Sequence, residues 1–94
     1  MAAWDEYLRA HFSQPEFAEF DLTLDNMITC FLAAAYEEQK AVRYGRKGFD
    51  LIAFEVKVGE EFVAIPIEEL EGRGFRLIPW DTPEEYLARH WNIF

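Results

Sequence analysis

FDLIAFEVKV (Phe49 to Val58), GE (Gly59-Glu60) and EFVAIPI (Glu61 to Ile67) form the stretch whose reading decides the fold. With Gly59 and Glu60 as a two-residue loop, Val58 stands opposite Glu61, Val56 opposite Val63, Phe54 opposite Ile65 and Ile52 opposite Ile67. Alternate rungs are then apolar on both strands. A slip of one residue would send the two apolar sets to opposite faces of the sheet, so the pattern specifies a hairpin in this register. Gly59 at the first loop position suits a type II′ turn, which needs positive φ there. Ile52, Phe54, Val56, Val63 and Ile65 form the expected core face. The other face sets Leu51, Ala53, Glu55 and Lys57 against Phe62, Ala64 and Pro66, the mixture of apolar and charged groups that partner-binding surfaces present, unless the C-terminal helix folds back and covers it.

Downstream, Pro66 cannot donate to a ladder and ends the second strand near Ile65. Ile67 to Glu71 has room for one helical turn stopped by Gly72. Phe75-Arg76-Leu77-Ile78-Pro79-Trp80 reads as a third strand. The connection to it is too short for a parallel crossover, so an antiparallel meander is expected, with Arg76, Ile78 and Trp80 on the same side as Phe62. The closing helix is announced by Thr82-Pro83-Glu84-Glu85, which supplies an N-cap, a proline at the first helical position and carboxylates at the positive end of the dipole. Its apolar face is Tyr86, Leu87, His90 and Trp91, with Phe94 a further candidate.

Upstream, Trp4, Tyr7, Leu8, His11 and Phe12 recur at the three-and-four spacing of one helix face. Ser13-Gln14-Pro15-Glu16 has capping-box spacing and starts a short turn carrying Phe17 and Phe20, unless Pro15 simply ends the first helix. Thr23 or Asp21 caps the next helix, expected from about Leu24 to Val42. Its middle, Met27 to Tyr36, is apolar on nearly every side, which places it centrally or makes one flank an interface and leaves room for a homodimer. Gly45-Arg46-Lys47-Gly48 is then a turn into the hairpin. The expectation is one α+β domain over residues 1–94: a three-stranded antiparallel meander packed by an apolar central helix, with amphipathic N- and C-terminal helices.

Composition narrows the function classes. Ninety-four residues, 51% hydrophobic and 17% aromatic, are enough for one core without disulfide or metal staples. Cys30, the lone cysteine, has no partner for an intramolecular disulfide, fits a reducing compartment, and within an apolar helix is expected to act as a small hydrophobe with a raised pKa. No stretch reads as a signal peptide or reaches the roughly 20 apolar residues of a membrane span, so a cytoplasmic chain with no membrane partner is expected. The net charge of −9 divides into −7 over residues 1–39, +4 over 40–47 and −6 over the rest. That balance argues against direct nucleic-acid binding and leaves basic protein surfaces as partners.

The inventory for catalysis is thin. Ser13 reads as a cap. His11 and His90 lie at the edges of aromatic stripes and could meet if the terminal helices pack side by side; a metal or proton-transfer site would then need Asp5, Glu6 or Glu85. No calcium-loop spacing occurs among the carboxylates, and no cofactor is implied. The Gly45-Arg46-Lys47-Gly48 run superficially resembles the GXXG loop of KH modules, but that loop joins two helices.

Glu68, Glu69 and Glu71 on the turn after the hairpin, with Glu55, Lys57, Phe62 and Trp80 on the second sheet face, form the candidate partner-binding set. The expected function is a small acidic non-enzymatic interaction module: an inhibitor or antagonist of a basic protein, as phage counter-defence factors, immunity proteins and nucleic-acid mimics are. The alternatives are an accessory subunit of a larger complex, and a small enzyme or metal site built on His11 and His90.

Overall fold

The computed structural model describes residues 4–91; Phe94 lies outside them. The elements in chain order are α1 (Trp4–His11), a 3-10 turn (Pro15–Phe17), α2 (Leu24–Glu37), β1 (Val42–Lys47), β2 (Asp50–Val58), β3 (Glu61–Pro66), α3 (Ile67–Glu71) and α4 (Pro83–Trp91). The sheet is an antiparallel meander in the order β1-β2-β3, and the chain is an α+β domain.

The β2–β3 hairpin has the expected register: Val58 pairs with Glu61, Val56 with Val63 and Phe54 with Ile65. Gly59 has φ of 63°, while Glu60 stays on the negative side, as a type II′ turn requires. The predicted Ile52–Ile67 rung is not made. Ala53 pairs with Pro66, and Ile67 already opens α3.

The third strand comes from the other side of the hairpin. Val42–Lys47, expected to be helix tail and turn, is β1, and the expected strand Phe75–Trp80 is irregular. Helix α2 stops at Glu37, five residues short of expectation, through a Schellman motif: Lys40 N donates to Ala35 O (3.0 Å) and Gln39 N to Tyr36 O (3.2 Å), with Gln39 in the left-handed region at φ 53°. With the helix closed there, Val42 and Tyr44 alternate onto the core face of the sheet.

The backbone of Phe75–Trp80 is engaged elsewhere. Phe75 N closes the Schellman motif of α3 on Leu70 O (3.0 Å), with Gly74 at φ 91°. Phe75 O accepts from the buried Tyr86 hydroxyl (2.6 Å), and Arg76 O accepts from Arg89. A segment so tied cannot also form a ladder.

A β-bulge between β1 and β2 changes one face assignment. Gly45 pairs with Ala53 but Arg46 with Leu51, leaving Ile52 as the extra residue. Leu51 therefore turns to the core and Ile52, expected inside, is 49% exposed. The core gathers Leu8 of α1, Met27, Ile28, Phe31, Leu32 and Ala35 of α2, Phe54, Val56 and Ile65 of the sheet, Ile67 and Leu70 of α3, and Tyr86 and Leu87 of α4. Burying each large member contributes about 1.5–3 kcal/mol.

Helix α2 is two-sided rather than apolar all round. Thr29 and Cys30 are exposed, and the Thr29 hydroxyl bonds back to Asp25 O (3.0 Å). Cys30 is thus a surface cysteine, not the buried hydrophobe expected. Thr23 caps α2 by accepting from Asn26 N (3.2 Å), and Thr82 caps α4 by accepting from Glu85 N (3.1 Å). Ser13 instead donates to Ala10 O at the end of α1, so no capping box forms before the 3-10 turn. Phe17 packs against His11 and Phe12, whereas Phe20 is 62% exposed. No helix among the described residues is long and apolar enough to cross a membrane.

Candidate functional site

Because strand side chains alternate, Val42, Tyr44, Phe54, Val56, Val63 and Ile65 face the helices, and Arg43, Gly45, Ala53, Glu55, Lys57, Phe62, Ala64 and Pro66 face away. Helix α4 packs on the core side, where Tyr86 meets Tyr44 and Phe54. It leaves the outer face to side chains of the sheet itself.

At the centre of that face is Arg43. Its Nε donates to Glu55 Oε1 across the β1–β2 ladder (2.8 Å), and its guanidinium lies 3.7 Å from the centroid of the Phe62 ring on β3. One cation thereby ties all three strands together. The Glu55 carboxylate lies over Gly45, where a Cβ would oblige it to shift. The ion pair and the cation–π contact are each worth at most about 1 kcal/mol at an exposed site. Their larger effect is order: a guanidinium, a carboxylate and a ring are held in one plane of contact. Lys57, opposite Phe62, is exposed and makes no ion pair among the described residues.

The α3 carboxylates separate into two kinds. Glu69 is half-buried and holds Arg73 Nη1 (2.7 Å), while Arg73 Nε reaches Asp25 Oδ1 on α2 (2.6 Å). These bonds, Glu69's foremost, raise the Arg73 pKa, and the cluster fastens α3 to the start of α2. Glu68 and Glu71 are exposed and unpaired among the described residues, and with Leu51, Ile52 and Ile67 they line a cavity of about 310 Å3.

Trp80 does not join the sheet face. It projects from the segment before α4, 80% exposed, because Phe75–Trp80 is not a strand.

His11 and His90 lie in separate aromatic groups. His11 stacks on Tyr7 and meets Phe12 and Phe17; His90 meets Phe75, Tyr86 and Trp91. Helices α1 and α4 each pack on α2. No group of three or more His, Cys, Asp or Glu side chains among the described residues could hold a metal.

A polar cluster that sequence reading missed surrounds His90. The Tyr44 hydroxyl reaches Asp81 O and Thr82 O (3.3 Å each), and burial, with Asp81 adding, pushes its pKa up to about 12. Arg89 lies 3.3 Å from Asp81 Oδ2, paired by charge but not aligned as a hydrogen bond. His90 Nε2 is buried with no hydrogen-bond partner among the described residues, and burial, reinforced by Arg89, lowers its pKa. The cluster pins α4 to β1 and to the preceding segment. The larger cavity, about 430 Å3, lies elsewhere, between the end of α2, the start of β1 and α4, with Tyr36, Lys40, Val42, Glu84 and Leu87 among its lining.

Sequence reading also missed Arg43, Phe49 and Ile52. Lys47-Gly48-Phe49-Asp50 is itself a two-residue turn signal, and Val42-x-Tyr44 before it alternates; reading both would have found β1 and its tip. The fold defines a small α+β meander domain in which, among the described residues, no helix covers the outer sheet face. Comparison with known protein families, curated proteins and solved structures found no match.

Proposed function

We propose that the chain is a non-enzymatic interaction module that binds a basic protein partner, in the manner of a small acidic inhibitor or antagonist. The observation that carries this reading is the sheet's outer face: Phe62 and Ala64 lie beside an ordered Arg43–Glu55 pair with no helix over them, and the unpaired Glu68 and Glu71 stand on the element that follows β3. Ordered apolar and aromatic area supplies an anchor, and rim carboxylates supply steering and selectivity for a cationic surface. A net charge of −9 strengthens the attraction at long range and weakens it with salt.

Reversing Glu68 and Glu71 to lysine tests the electrostatic half. Capture from the source cells with the wild-type chain, followed by calorimetry on the purified partner, should give an affinity that falls with added salt. The double reversal should lower it at least tenfold, chiefly through the association rate; an unchanged affinity removes the carboxylates from the interface. An accessory subunit of a larger assembly is the second reading, supported by four exposed large apolar side chains, Phe20, Phe49, Ile52 and Trp80.

A further inference from the structure

The β1–β2 hairpin ends in a group that its turn does not need. Lys47 pairs with Asp50 across Gly48 and Phe49; Gly48 has φ of 65°, and Phe49 at the second turn position is 100% exposed. A polar residue such as Asn or Ser would satisfy the same turn. Arg46 and Lys47 beside the tip are exposed and make no ion pair among the described residues, so the one basic segment of an acidic chain carries a fully exposed phenyl ring at its end. Next to it on the surface is its chemical complement. The cavity of about 310 Å3 has an apolar floor of Leu51, Ile52 and Ile67 and a rim of Glu68 and Glu71. The bulge at Ile52 is what turns that apolar side chain outwards into the cavity.

We infer that the chain forms a two-fold symmetric dimer in which the Phe49 tip of each copy enters the Ile52–Ile67 cavity of the other, with Arg46 and Lys47 against the partner copy's Glu68 and Glu71. Ile52 is three residue steps along the chain from Phe49, roughly 10 Å when extended. A two-fold axis passing between them exchanges both tips and both cavities at once, which is the condition for an isologous, closed interface. Each copy brings Arg46 and Lys47 against Glu68 and Glu71, with Asp50 a further carboxylate beside the tip, so the contact carries far less net charge than the chains as wholes. The dimer occupies the same Glu68 and Glu71 that the partner reading uses, so a basic partner competes with it, but the isolated chain is enough to test it.

Sedimentation equilibrium of the purified protein across the micromolar to submillimolar range tests it. The mass should rise with concentration towards twice the 11.1 kDa of the chain. Phe49→Asp should hold it at one chain's mass and, at concentrations low enough for the wild type to be monomeric, leave the melting curve unchanged, since the side chain is fully exposed within its own copy. Arg46→Glu with Lys47→Glu should weaken association at least tenfold, and adding Glu68→Lys and Glu71→Lys to that variant should restore it. A chain that stays monomeric throughout overturns the inference, as does a dimer that survives Phe49→Asp. So does a monomer that instead binds vesicles of anionic phospholipid through Phe49, which would assign the tip to a lipid surface.

Discussion

Gln39 occupies a position that the backbone reserves for glycine. Its φ of 53° closes the Schellman motif of α2, and a Cβ in the left-handed region costs about 1 kcal/mol. Gln39→Gly should therefore raise the melting temperature by a few degrees while leaving circular dichroism unchanged; thermal melts of the two proteins check it. His90 carries the opposite kind of strain, a titratable ring held in the core edge. Because burial lowers its pKa below the ordinary 6.5, the unfolded chain takes up the proton first as the pH falls. Its contribution is complete above about pH 6.5 and is lost progressively below it. The wild type should lose melting temperature between pH 6.5 and 5, and His90→Phe should flatten that part of the profile. Equal slopes for the two proteins would mean that His90 is protonated equally well in both states.

Among the elements, α4 is packed through Tyr86 and Leu87 and is hydrogen-bonded to its surroundings by side chains that reach backbone. Removing the Tyr86 hydroxyl leaves Phe75 O buried without its partner, so Tyr86→Phe should cost about 1–2 kcal/mol in urea unfolding with little change in the slope. These bonds also explain what could be read from sequence. The β2–β3 hairpin was legible because alternation and a glycine turn are local signals that agree. The two segments flanking the hairpin, read as helix tail and turn on one side and as a strand on the other, carry local signals that disagree with distant ones. Phe75–Trp80 has strand composition, but its carbonyls serve Tyr86 and Arg89, eleven and thirteen residues on. Val42–Lys47 followed a helix whose stop is a glutamine, so nothing marked the end of α2. The exchange of Leu51 and Ile52 depends on a bulge against β1, and no reading of β2 alone contains it.

For the whole molecule, the candidate site was partly legible. Glu55, Lys57 and Phe62 share a face because strand parity is readable from sequence, and Glu68 and Glu71 on the short α3 turn are exposed and make no ion pair among the described residues. Trp80 left the set with the strand that was to carry it, Glu69 belongs to the Arg73 cluster, and Arg43 entered because β1 did. What results is a domain whose helices all lie on one side of its sheet, with the other side ordered by one arginine. On the reading proposed above, this outer face, with Glu68 and Glu71 on the element that follows β3, receives a basic partner. The most direct measurement is a nitrogen-15 NMR titration of the Phe49→Asp chain, so that self-association does not enter, with an arginine- and lysine-rich peptide as probe. Saturable, salt-sensitive shifts concentrated at Phe62, Ala64, Glu68 and Glu71 are expected. Shifts spread over Glu16, Glu19, Glu60 and Glu84 as well, following charge alone, or no saturable shifts at all, would contradict it.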